Sequence, residues 1–296
     1  MKVKMEQSIK NENDAAKTDW KDSILLRTTM FGANGLFLGA HRLVNGKYLV
    51  MLGPSGSAAA SLISTSQTVV LGSALGFLLG TGIDFGTAVG KKEYKIAGDI
   101  AKTGTILSST LGAISTVILL GATGVYPLIY SEETAKITSE FFYGYLPGAI
   151  PQLFLTIGSQ VAFQVGDWYV PPLSMFLVLT ISGGASYLLA FNAGLGALGI
   201  GLGGSIGSVL SATILGSLFL RDKYKPYELY TLHINEFSKK MKSLVNSGWK
   251  LAAQRLTEWS NLLIITTIIV YIIHKITINL IVDLQLSSEV IDTENS

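Results

Sequence analysis

The stretch Trp168–Leu220, WYVPPLSMFLVLTISGGASYLLAFNAGLGALGIGLGGSIGSVLSATILGSLFL, runs for 53 residues without an Asp, Glu, Lys or Arg. A bilayer core about 30 Å thick is crossed by about 20 apolar residues of helix rising about 1.5 Å each. The stretch therefore holds two crossings, with a turn at Asn192-Ala193-Gly194. Three shorter charge-free runs, Tyr48–Ile83, Thr103–Ser131 and Phe141–Gly166, hold one crossing each. Unpaired backbone polar groups are too costly in lipid for such runs to be anything but helix.

Two weaker segments flank these runs. Ile24–Met51 is mainly apolar but carries Arg27, His41, Arg42 and Lys47. Trp249–Val282 holds the apolar stretch Leu262–Ile273, with Arg255 and Glu258 before it and His274 and Lys275 after. Seven crossings are predicted, at about 25–50, 57–84, 104–130, 141–165, 170–191, 196–220 and 252–280. The expected fold is an all-α polytopic transmembrane helical bundle, a six-helix lobe plus a seventh helix. Residues 1–23 form a polar N-terminal segment, 24–220 the lobe, 221–250 a cytoplasmic linker, 251–282 the first helix of a second lobe and 283–296 a polar tail.

Composition agrees with this reading. Charged residues are 14% of the chain, roughly half the ~25% of a soluble domain, and hydrophobic residues are 49%. A formal net charge of +2 favours neither nucleic acid nor an acidic ligand. The absence of cysteine excludes disulfides, thiolate metal sites and cysteine nucleophiles, and three histidines make a His-rich metal centre unexpected. Ser-His-acid triads and carboxylates paired in a shared site find no support, so an enzyme is not expected and no cofactor is implied.

Orientation is read from the basic residues. Six lie in Lys2–Arg27, four in Lys91–Lys102 and seven in Arg221–Lys250, whereas Ser131–Glu140, read as an outer loop, has Lys136 alone among Glu132, Glu133 and Glu140. The positive-inside rule puts the N-terminus in the cytoplasm of a multi-pass protein of the cell membrane. The first 23 residues contain no apolar core of a signal peptide.

Small residues recur every fourth position in the second span (Ala60, Ser64, Thr68, Gly72, Gly76, Gly80) and the sixth (Gly199, Gly203, Gly207, Ser211). Lipid supplies no hydrophobic force between helices, so such ridges signal close backbone packing. Gly194-x-Gly196-x-x-Gly199 matches the dinucleotide fingerprint only formally, since it follows no soluble strand.

Polar stripes mark the candidate site. In the first span Asn34, His41, Asn45 and Tyr48 fall on one helical face, with Arg27 one heptad before Asn34. Polar groups at membrane depth usually face a bundle interior or a water-filled path, so this face is expected to line a cavity. The alternative is that Arg42 and Lys47 reach the outer interface while the asparagines bond neighbouring helices. The fourth span adds Gln152, Gln160 and Gln164. The seventh carries Gln254, Glu258 and Asn261, and Glu258 is the acidic residue placed well within a span; a plain Glu258–Arg255 pair is the alternative. Asp84 reads as an interfacial acid, with a cap or gate residue as the alternative. Ala40–Asn45 aligns with Ala253–Glu258, sharing Ala, Arg and Leu, a repeat of period 213 that sets Asn45 opposite Glu258. Repeated helix bundles are how many secondary transporters are built.

With these residues in view, the sequence resembles the multidrug and toxic compound extrusion (MATE) family. Gln164-Val165-Gly166-Asp167-Trp168-Tyr169-Val170-Pro171-Pro172 is similar to the family's Gln-Gly-Asp-x-x-x-Pro motif, with an extra Val and a second Pro. Gly194–Gly201 resembles the Gly-rich start of the family's sixth helix, Gly80–Gly90 its second-helix end, and Asn45–Gly53 the end of its first. The resemblance implies a Na+- or H+-coupled antiporter that exports amphipathic, often cationic compounds through a cleft between two six-helix lobes. Glu258 matches the family's helix-7 Glu that helps bind the coupling cation. Two departures are plain: Asn45 stands where many members have an Asp, and Ser186 stands near a second Asp position. The resemblance ends after Val270, which implies a half or truncated member that needs a second half, another chain or a homodimer, to complete the cleft. A transport-inactive truncated protein and a membrane scaffold without flux are the alternatives.

Overall fold

The computed structural model describes residues 2–231, 236–258 and 261, with side chains from residue 25 onward. Its principal helices are α1 (Lys2–Val50), α2 (Pro54–Gly90), α3 (Tyr94–Ile129), α4 (Glu132–Tyr145), α5 (Ala149–Gln164), α6 (Val170–Tyr187) and α7 (Gly196–Leu218). A last helix, α8, covers 237–258. There is no strand among the described residues, and the chain is an all-helical membrane bundle.

Each boundary has a local cause. Gly53, at φ 107°, makes the turn before Pro54, whose missing N–H costs nothing in a helix's first turn. Leu146-Pro147-Gly148 forms a 3-10 turn that splits one predicted span into α4 and α5. Gly194 and Gly196, both at positive φ, carry the chain from the π turn Leu188–Asn192 into α7.

Four helices are long and apolar enough to cross a membrane among the described residues: Pro54–Gly90, Tyr94–Ile129, Val170–Asn192 and Gly196–Leu218. The other predicted crossings differ for physical reasons. α1 is a continuous helix whose apolar stretch is diluted by Arg27, Asn34, His41, Arg42 and Lys47, and the fourth is broken at Pro147 into helices of 14 and 16 residues. The seventh, 252–280, lies mostly outside the described residues, as does the tail 283–296.

Two segments read as connections are helical. Ser131 caps α4 by accepting a hydrogen bond from the Thr134 backbone N–H, so the expected outer loop Ser131–Glu140 is the start of a helix. Helix α8 starts at 237, inside the stretch assigned to the linker, and its basic residues Lys239, Lys240 and Lys242 belong to that helix.

Packing follows the small residues. α1 lies against α2 and α6, α7 against α6 and α4, and α3 against α2 and α5. A methyl group at Gly203 or Gly207 would overlap the α6 chain at Ser186 or Ser182, and one at Gly199 the π turn at Ala190. On α2 the ridge receives α8: a Cβ on Gly76 would sit 2.5 Å from Ala252 Cα, and one on Gly248 2.5 Å from Phe77 O. Two apolar clusters fill the ends of the bundle. Leu49, Phe141, Phe142, Tyr145 and Ile200 belong to one, and Phe85, Leu153, Leu155, Leu215 and Tyr224 to the other. Val117 and Leu128 are about 70% exposed or more and point outward, as lipid contacts do.

Candidate functional site

A cavity of about 500 Å³ runs between α1, α2, the α4–α5 pair and the start of α6. It falls in the size range of small-molecule pockets, about 300–1,000 Å³. Its apolar walls include Phe31, Leu71, Leu75, Phe141, Phe163 and Met175.

Among the predicted stripe residues, Asn34, His41 and Asn45 line the cavity from α1, and Gln152, Gln160 and Gln164 line it from α5. Gly82 and Gly86 make room for the last two, because a Cβ at either would meet the Gln160 or Gln164 side-chain amide. Gln152 Oε1 accepts a hydrogen bond from Ser208 at 2.9 Å. Asn45 Nδ2 and His41 Nε2 lie 3.3 Å apart. The buried atoms Asn34 Oδ1, His41 Nδ1, Asn45 Oδ1 and Gln160 Oε1 have no hydrogen-bond partner within the described protein. Buried polar atoms are seldom left so; three of these four lie on α1 and the fourth on α5.

Other predicted residues stand elsewhere. Tyr48 continues the α1 stripe but is absent from the cavity lining; its ring packs against Tyr187 and Phe191 at centroid distances of 6.1 and 5.8 Å. Gln254, Glu258 and Asn261 are exposed and do not line it. Glu258 accepts from Gln254 Nε2 at 2.9 Å and pairs with Arg255 at 3.0 Å, which is the simple ion pair weighed above. Arg27 sits 4.5 Å above the Trp168 ring.

Sequence reasoning missed Arg42 as a lining residue; it is exposed and also borders the cavity. It also missed Ser64, Gln67 and Thr68, the polar part of the α2 face. Adjacent positions on a helix differ by about 100°, so a stripe drawn through His41 passes over Arg42, whose long side chain still reaches the cavity.

Two buried carboxylates tie the segment after α7 to the lobe. Asp167, in the turn after Gly166 (φ 86°), accepts hydrogen bonds from Lys223 and from Tyr224 Oη at 2.7 Å, with Arg221 Nη1 3.7 Å away. Burial pushes the Asp167 carboxyl up, but the bonds from Lys223 and Tyr224 and the charges of Lys223 and Arg221 outweigh it, holding the group below the usual carboxylate range. Burial, and then the bond to that carboxylate, raises the Tyr224 phenol. Asp99, at the start of α3, pairs with Lys102 at 2.9 Å and with Lys240 of α8 at 3.0 Å.

No protein-family sequence model matches the chain, and no curated protein matches it by sequence. Solved structures do match. A multidrug resistance MATE family transporter of the MOP superfamily, in its outward-facing conformation, superimposes with a TM-score of 0.71 at 20% identity, over 79% of this chain and 52% of that one. The Vibrio cholerae MATE transporter VcmN in its bent form gives 0.70 at 17% identity, over 83% and 57%. A MOP superfamily transporter from Pyrococcus furiosus, described as having a binding pocket of reverse polarity, gives 0.70 at 20% identity, over 79% and 52%. The chain spans about half the length of these structures. It has the fold of MATE-type transporters of the MOP superfamily.

Proposed function

We propose that the chain works as one lobe of a cation-coupled antiporter that exports amphipathic organic compounds across the membrane. The single observation that carries this reading is the α1–α2–α5 cavity, an apolar-walled space of about 500 Å³ with unpartnered polar atoms of Asn34, His41, Asn45 and Gln160 on its walls. The fold it shares with MATE transporters supports the same reading. In that scheme the amphipathic compound lies against Phe31, Phe163 and Met175 while Asn34, Gln160 and Gln164 supply hydrogen bonds. A second half, from another chain or a second copy, faces the cavity and completes the cleft.

Na+ or H+ supplies the driving force, with Glu258 as the coupling residue and Asn45 facing it across the repeat. Access alternates as the lobes rock around the bound compound, and the gradient biases the two states only to the extent that the cation binds them unequally. The basic segments at Lys91–Lys102 and Arg221–Lys250 favour a cytoplasmic N-terminus.

The test is reconstitution into liposomes. Preloaded dye should leave, alone or with a partner half, when an inward Na+ or H+ gradient is imposed. Efflux no faster than in protein-free liposomes under both gradients overturns the proposal.

A further inference from the structure

We propose that the α1–α2–α5 cavity receives amphipathic organic anions, with Arg42 as the residue that selects their charge. This rests on the reading of the cavity as a transport cleft and gives that cleft a substrate class.

The sign of the lining carries the proposal. Arg42 is the one Lys or Arg side chain among the residues that line the cavity, and none of those residues is an Asp or Glu. The acids next to lining residues in the chain, Asp84 beside Ile83 and Glu140 beside Phe141, do not themselves line it. Asp167, three residues past Gln164, is engaged by Lys223, Tyr224 and Arg221. Among the described residues no carboxylate forms an ion pair with Arg42. Arg42 is an exposed residue of α1, so its guanidinium can be reached from the open side of the cavity, and its planar fork suits carboxylate, sulfonate or phosphate oxygens.

Three of the unpartnered polar atoms lie on α1, the helix that carries Arg42. Asn45 and His41 occupy the helix turns next to Arg42, and Asn34 lies two turns before His41. With Asn45 Nδ2 donating to His41 Nε2, the neutral imidazole carries its proton on Nδ1, which is buried and without a partner. An anionic head at Arg42 is therefore within the neighbourhood of a second donor, while its apolar body rests on Phe31, Leu71 and Met175. The cationic compounds that the family resemblance implies carry the wrong charge for this lining.

The experiment uses two ions of nearly the same shape and opposite charge, tetraphenylborate and tetraphenylphosphonium. Binding to the full chain is measured by equilibrium dialysis in nanodiscs of phosphatidylcholine, with empty nanodiscs as the blank. Tetraphenylborate should bind saturably above the blank and at least tenfold more tightly than tetraphenylphosphonium. Arg42→Gln should weaken it about tenfold, and Arg42→Lys should restore most of the difference. Repeating the measurement with phosphatidylglycerol in the nanodisc separates two sources of the anion: competition by the lipid assigns the site to a lipid headgroup, and unchanged binding assigns it to a soluble compound. Tighter binding of tetraphenylphosphonium, an unaltered affinity in Arg42→Gln, or no saturable binding of tetraphenylborate overturns the proposal. No gradient or flux enters the measurement, so a protein that binds the anion but moves nothing across liposomes fails as a transporter and not as an anion binder.

Discussion

Tyr224 donates a hydrogen bond to Asp167 Oδ2 at 2.7 Å, joining the turn before α6 to the segment that leaves α7, 57 residues later. Both side chains are buried, and Lys223 and Arg221 supply the countercharge. Lys223 and Arg221 are themselves about half exposed, so replacing the carboxylate costs mainly its charge-assisted hydrogen bonds, about 2 kcal/mol. Asp167→Asn should therefore lower stability by about that amount at neutral pH. The direction with pH follows from the depressed carboxyl: the unfolded group titrates near pH 4, so the contribution is complete above that value and is lost as pH falls through the lower folded value. Thermal melts of the detergent-solubilised protein between pH 7 and pH 3 should show wild type converging on Asp167→Asn at the acid end. Parallel curves across the range would remove Asp167 from the acid transition.

The glycine ridge of α7 makes a second, separable prediction. Gly203 lies against the Ser186 backbone, whereas nothing stands within 4 Å of a Cβ placed on Gly121 of α3. Overpacking of a close helix contact costs about 1–3 kcal/mol, while an open helical glycine gains up to about 1 kcal/mol as alanine. Gly203→Ala should lower the midpoint of unfolding in dodecyl sulfate, and Gly121→Ala should leave it level or raise it. Equal effects from the two would show that the ridge does not set the α6–α7 spacing.

How much of this was legible beforehand depends on what kind of signal each residue gives. Charge-free runs located the apolar helices well, because lipid permits few alternatives for a backbone. Helix α4 was hidden because Glu132, Lys136 and Glu140 look like loop when judged by charge, although Ser131 is a good cap. Helix α8 was hidden the same way by Lys239, Lys240 and Lys242, and the contact between Gly248 and Phe77 that seats it on α2 depends on chain elements about 170 residues apart. In the cavity, angular spacing recovered Asn34, His41 and Asn45 but overextended to Tyr48, which the α6 aromatics take up. Periodicity gives the face of a helix; it does not give where along that face a neighbour closes it off.

Asn34 offers a test of whether the cavity trades stability for binding. Its Oδ1 is buried without a partner, and an unsatisfied buried polar atom costs about 1–3 kcal/mol. Asn34→Leu, close in size and apolar, should raise the melting temperature, by an amount equivalent to about 1 kcal/mol, and reduce binding of cavity ligands by several-fold. Melting curves and dialysis on the same preparation check both halves. A variant that is less stable than wild type would mean that Asn34 holds α1 in place instead of serving the cavity.

Glu258 separates structure from coupling. Its ion pair with Arg255 is 3.0 Å long with both side chains nearly half exposed, and exposed pairs of this kind contribute only about 0–1 kcal/mol. Gln254 donates to the same carboxylate, and a glutamine at 258 keeps an oxygen to accept that bond. Glu258→Gln should therefore melt within about 1 kcal/mol of wild type. If the carboxylate binds the coupling cation, the same variant should lose gradient-driven efflux from liposomes while still binding the transported compound, since the cavity lining is separate from it. An efflux rate equal to wild type under both Na+ and H+ gradients would reduce the Glu258–Arg255 pair to a surface contact and move the search for the coupling residue to the cavity itself.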